Sequence, residues 1–135
     1  MQDVAKVSRT DGYRRFWFVD QLHALLKQCN GSLEVNFKSE CAKFRQKPST
    51  ASERFKERYS LTIREYCLRL RMEYARAALD LDPIVAPGQL ARKLGYGCGT
   101  AFSRVFKIYW AVSPREYAEQ VLAQSVETRA VPPVS

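Results

Sequence analysis

Apolar residues along this chain recur at intervals of three and four rather than two, so the pattern predicts helices and no strand. A first helix over residues 13–29 gathers Phe18, Leu22, Leu25, Leu26 and Cys29 on one side. Asn30-Gly31 ends it, because both residues tolerate the left-handed cap conformation. A short helix over 37–44 follows, with Asn36 as its N-cap. Pro48 then opens a helix over 48–58, since proline lacks only an N–H that the first turn does not use. That helix buries Ala51 and Phe55 and little else. Its other face is polar, with Ser49, Thr50, Glu53, Lys56 and Glu57, and must meet solvent or a polar partner.

Thr62-Ile63-Arg64-Glu65 has the form of a capping box, and the helix it opens runs to Leu81 before Asp82-Pro83 stops it. Two apolar stripes lie on opposite sides of this helix. Ile63, Tyr66, Cys67, Leu70, Tyr74, Ala77, Ala78 and Leu81 form one; Leu68, Met72, Ala75 and Leu79 form the other. A helix apolar on two faces predicts a connector clamped between two packed units. Further on, a short helix over 87–94 precedes a glycine cluster and a helix over 100–109. Ser113-Pro114-Arg115-Glu116 is a second capping box, starting a last helix that reaches at least Leu122. The predicted organisation is a flexible 1–12, a first unit over 13–61, a linking helix over 62–82, a second unit over 83–124 and a loose tail over 125–135.

Charge narrows the choice of partner. The chain of 135 residues carries a formal charge of +8, and the stretch from 36 to 81 holds most of that excess. A basic balance of this kind points first to nucleic acid and second to acidic lipid surfaces. Nothing in the sequence resembles a signal peptide or a membrane span, which predicts a soluble intracellular chain. The four cysteines, Cys29, Cys41, Cys67 and Cys98, form no CxxC pair, and His23 is the sole histidine. That spacing offers no zinc site, and no acid, base and nucleophile assemble into a catalytic set. The expectation is free thiols, a packed or half-exposed His23, no metal, no cofactor and no enzymatic activity.

The cluster GYGCGTAFSRVFK, residues 95–107, is the sharpest local signal. A phosphate loop needs GxxxxGK and a hydroxyl residue after a buried strand. Here Thr100 follows Gly99, no lysine stands beside it, and a helix precedes. The alternative is a turn, with Gly95 in a left-handed conformation. The next helix splits cleanly: Phe102, Val105, Phe106 and Tyr109 lie on one face, and Thr100, Ser103, Arg104 and Lys107 on the other. A helix, a turn and a helix with a small, basic outer face form a helix-turn-helix suited to DNA. Periodicity alone also fits an αα-hairpin with a solvated face.

The motifs Leu90-Ala91, Gly95-Tyr96, Phe102-Ser103-Arg104-Val105-Phe106-Lys107 and Ser113-Pro114-Arg115-Glu116-Tyr117 resemble the DNA-binding domain of AraC/XylS-type transcriptional regulators. Upstream the match is looser, through Phe55-Lys56, Tyr66, Leu70-Arg71-Met72 and Ala75. The resemblance covers about residues 19–118 and implies an all-α, homeodomain-like fold of two helix-turn-helix subdomains joined by one long helix. It departs from the family at Pro87, at Ala111 in place of a glycine, and at Glu40 and Cys41. Glu53 and Glu57 also put carboxylates on the outer face of the first unit.

The resulting expectation is a sequence-specific regulator that inserts the helices over 48–58 and 100–109 into adjacent major grooves. Ser49, Thr50, Ser52, Glu53, Thr100, Ser103 and Arg104 are the candidate base contacts, and Lys47, Lys56, Arg71 and Lys107 the candidate phosphate contacts. Double-stranded DNA is the expected partner, with RNA polymerase as a further one and a cytoplasmic, nucleoid-associated location. Family members usually carry a sensing domain, whereas few residues precede the first helix here, so no small-molecule effector is expected. The alternative is a protein-interaction regulator whose acidic first unit binds polymerase or another regulator, with weak or one-headed DNA binding.

Overall fold

The structure is a computed structural model that describes the backbone of residues 2–130 and the side chains of residues 15–125. Among these residues it holds seven helices and no strand. They are α1 (Gln2–Gln28), α2 (Phe37–Lys43), α3 (Pro48–Tyr59), α4 (Ile63–Leu81), α5 (Pro87–Lys93), α6 (Gly99–Trp110) and α7 (Pro114–Ala130). The chain divides into two compact units, and the boundary falls inside α4, between Leu70 and Arg71. The outer helices run longer than the apolar pattern suggests, so residues 2–12 and 125–130, expected to be loose, are helical. Extending an existing helix avoids the cost of a new nucleus, and no proline interrupts either stretch. Met1 and residues 131–135, the remainder of the expected loose ends, lie outside the described residues.

In the first unit, α1 turns Phe18, Val19, Leu22 and Leu26 onto Cys41, Ala51, Phe55 and Tyr66. Asn30 and Gly31 end it with φ of 54° and 67°. Gly31 is needed for a second reason, because a Cβ there would collide with the Cys67 carbonyl of α4. The Asn36 side chain accepts from the Ser39 N–H at 3.0 Å and so caps α2. A paired turn closes that helix: Arg45 N–H donates to Ala42 O at 3.1 Å and Gln46 N–H to Cys41 O at 2.8 Å. Arg45 itself is left-handed, at φ 54°. Thr62 and Glu65 then bond reciprocally, each at 3.1 Å, to start α4. The Thr62 N–H, then its hydroxyl, holds the Glu65 carboxyl below its usual range.

The second unit repeats these devices. Gly95 N–H donates to Arg92 O and Tyr96 N–H to Ala91 O, with Gly95 at φ 86°. Phe106 is fully buried, as Phe55 is. Ala111 ends α6 in the left-handed region at φ 69°, as Ser60 ends α3 at φ 63°. Ser113 and Glu116 form the matching capping box, again at 3.1 Å in both directions. The helix pairs α2–α3 and α5–α6 match in length and differ in the turn between them, Leu94–Cys98 against Phe44–Lys47. Even the aromatic stacking recurs. His23 lies 4.1 Å from the Tyr59 ring and 4.6 Å from the Tyr66 ring, near parallel to both. Its counterpart Arg76 sits over Trp110 at 4.6 Å and over Tyr117 at 5.4 Å.

The two stripes of α4 are used by halves. Ile63, Tyr66, Cys67 and Leu70 pack into the first core, and Met72, Ala75 and Leu79 are buried in the second unit. The far end of the first stripe is bare, with Leu81 90% exposed and Ala77 also exposed, contrary to the pattern-based expectation. A small unit wraps about two turns of helix, so periodicity alone extends a stripe past the packing that uses it.

Two outcomes follow from these local features. A non-glycine residue in the left-handed region costs roughly 1–2 kcal/mol, against a smaller entropic cost for glycine in the unfolded chain. Ala111→Gly should therefore raise the unfolding free energy by about 1 kcal/mol in a denaturant titration; a decrease would show that Ala111 is not strained.

Burial, followed by the charge of Lys27, lowers the His23 pKa, while Asp20 pulls it the other way. The unfolded chain then binds the proton more tightly than the folded one. The contribution to stability is complete above the unfolded value of about 6.5 and is lost as pH falls through the lower folded value. His23→Phe should flatten that acid-side decline; an unchanged slope would assign it to other groups.

Candidate nucleic-acid interface

Each unit exposes one face of a twelve-residue helix. In α3, Ala51 and Phe55 point inward, and at 100° per residue the position opposite them is Glu53. Ser49 and Lys56 flank Glu53, all three exposed, with Ser52 exposed at one margin and Thr50 half-buried at the other. In α6, Phe102 and Phe106 point inward and Arg104 stands opposite, flanked by Thr100 and Lys107. Ser103 is half-buried beside it. The two faces thus correspond position by position: Ser49 to Thr100, Glu53 to Arg104, Lys56 to Lys107.

The helix starts also correspond. Lys47 and Cys98 are the N-caps of α3 and α6, neither makes a side-chain capping bond, and neither first turn holds an acid. Lys47 is exposed. The positive ends of both helices remain open to an anion, whereas α4 and α7 are closed by their capping boxes. Gly99 brings the start of α6 to 3.3 Å, measured from a would-be Cβ, of the Gly88 backbone in α5. A Cβ at Gly99 would crowd that backbone, whereas one at Gly88 would meet open space. The glycine cluster therefore serves a turn and a close helix contact, and Gly95 takes the left-handed position assigned to it.

Arg71 does not join the exposed cations. It is 8% exposed, its Nε donates to the Tyr96 hydroxyl at 2.9 Å, and its guanidinium lies 5.5 Å from the Tyr96 ring centre. Its guanidinium is turned to Tyr96 within the second unit, which sets it apart from the exposed Lys47, Lys56 and Lys107. Three features escaped the sequence reading. Arg45 is the first unit's counterpart of Gly95, hidden because arginine rarely adopts that conformation. Arg15 bridges Glu57 at 2.7 Å, which removes one carboxylate from the acidic face. Arg58 is held by Asp20 at 3.2 Å, so it contributes less free charge than its type suggests. The Asp20 carboxylate also takes the Tyr59 hydroxyl, whose pKa is pushed up to about 12 by burial and then by this bond.

Among the described residues no group of three His, Cys, Asp or Glu side chains could hold a metal, and no helix is long and apolar enough to cross a membrane. Residues 41–120 match the helix-turn-helix domain family. The chain belongs to the AraC-type helix-turn-helix family. Domains of this family bind double-stranded DNA and serve transcription regulators. The Msm operon regulatory protein of Streptococcus mutans is 27% identical over 105 residues, covering 77% of this chain and 37% of that protein. The chain thus spans little more than a third of the length of this relative. The C-terminal domain of AraT, a response regulator from Geobacillus stearothermophilus, superposes with a TM-score of 0.70 at 20% identity, over 76% of this chain and 84% of that one. The C-terminal domain of the two-component response regulator yesN from Fusobacterium nucleatum gives 0.65 at 21% identity, over 74% and 97%. At such identities these structures speak for the fold.

The placement of the cations separates two groups by experiment. Lys56→Ala and Lys107→Ala should each reduce the slope of log affinity against log salt by about 1. Arg71→Ala should leave that slope unchanged and lower stability by about 1–3 kcal/mol, because it strands the Tyr96 hydroxyl. A reduced slope for Arg71→Ala would return it to the DNA contacts.

Proposed function

We propose that the AraC-type domain regulates transcription as a two-headed reader, with α3 and α6 each entering a major groove of one duplex. The observation that carries this reading is the shared register of the two exposed faces, each set by an inward phenylalanine at the same helical position. Both faces pair short hydroxyl side chains, which adapt to base edges, with a lysine suited to phosphate. A double-stranded DNA target supports a cytoplasmic, nucleoid-associated location. RNA polymerase is the protein whose access to a promoter such a bound regulator alters.

Arg104 is the principal base contact of the second head. It is exposed at the centre of its face, and a guanidinium matches guanine O6 and N7 bidentately. Arg104→Ala should weaken binding to the preferred site by about 1–3 kcal/mol and relax the preference at a single base pair. Equal weakening on every sequence would make it a phosphate contact, and unchanged binding would take α6 out of the groove.

A further inference from the structure

The two heads share a register but differ in charge at its centre, and the difference carries a prediction about the DNA. We infer that Glu53 is a specificity-determining residue that selects cytosine beneath α3, where Arg104 at the same register in α6 selects guanine. This inference rests on the two-headed reading above. Glu53 occupies the position of Arg104, opposite the buried Phe55 as Arg104 is opposite Phe106. Among the described residues Glu53 makes no hydrogen bond or ion pair, while its neighbour Glu57 is bound by Arg15 at 2.7 Å. One carboxylate of the face is neutralised and the central one stands free. Exposed Lys47 and Lys56, with half-buried Arg54, surround it, so the face as a whole can still approach phosphate.

The chemistry of an ionised carboxylate then restricts the base. It accepts hydrogen bonds and donates none. Guanine presents O6 and N7 in the major groove and thymine presents O4, so each sets an acceptor against an acceptor. Adenine offers its N6 amino group, but the N7 acceptor lies beside it. Cytosine N4 is a donor with no acceptor on the same edge. A carboxylate therefore rejects three bases through repulsion as much as it attracts the fourth, at the expense of general affinity for DNA. Arg104 makes the converse choice and prefers guanine.

The test is selection of binding sites from a random duplex library by the whole chain and by Glu53→Gln, Glu53→Arg and Arg104→Ala. All three substitutions lie on exposed positions, and a thermal melt checks that each variant is folded. The wild type should select a cytosine that becomes adenine with Glu53→Gln and guanine with Glu53→Arg, while the guanine owed to Arg104 stays fixed. Exchanging that cytosine for guanine should weaken wild-type binding about tenfold or more. A wild-type preference for another base there, or one motif common to all Glu53 variants, would overturn the assignment. If Arg104→Ala loses its guanine in that case, the second head stands and only the role of Glu53 fails. If Arg104→Ala also keeps the wild-type motif, the two-headed reading itself fails.

Discussion

Everything the surface of this protein offers to DNA depends on the rotational phase of two short helices, and Phe55 and Phe106 set that phase. A helix of twelve residues is marginal by itself, so its orientation comes from the stripe it buries. Each of these phenylalanines is wholly enclosed, and removing a ring of this kind from a core costs about 3–5 kcal/mol. No exposed residue on either helix competes with that term, so the face opposite the ring is the face presented. A left-handed turn residue, Arg45 or Gly95, fixes how the chain enters each helix. Capping boxes at Thr62 and Ser113 fix where the next helix starts.

The same frame is built twice and filled with different charges. The imidazole of His23 and the guanidinium of Arg76 lie in matching aromatic slots, one favouring the neutral state and the other permanently cationic. On the reading faces the contrast is carboxylate against guanidinium. The packing constrains only the inward positions, so the outward ones are free to diverge without loss of fold. This is why two units of one architecture can address different base pairs.

Much of the frame was legible in the sequence, because caps, prolines and left-handed positions are local signals. α2, α3, α5 and α6 start and end within a residue or two of the places that Asn36, Pro48, Pro87, Gly95 and the second capping box suggest. The repeat itself is visible in RFKERYSLTIREY, residues 54–66, set beside VFKIYWAVSPREY, residues 105–117. What stayed hidden depends on residues distant in sequence. The partner of Arg71 is Tyr96 and that of Glu57 is Arg15, and no periodicity announces either pair. Leu81 looks like the end of an apolar stripe until the packing of its unit is known. The exposed face residues of α3 and α6 could be assigned to a surface from their spacing, whereas their charges became interpretable only once Glu57 and Arg58 were found to be paired.

A hydroxyl-radical footprint of the whole chain on its selected duplex tests the central claim, that both phased helices engage one DNA molecule. Two protected segments separated by about one helical turn, roughly 10 base pairs, are the predicted result. A single protected segment at saturating protein would contradict it.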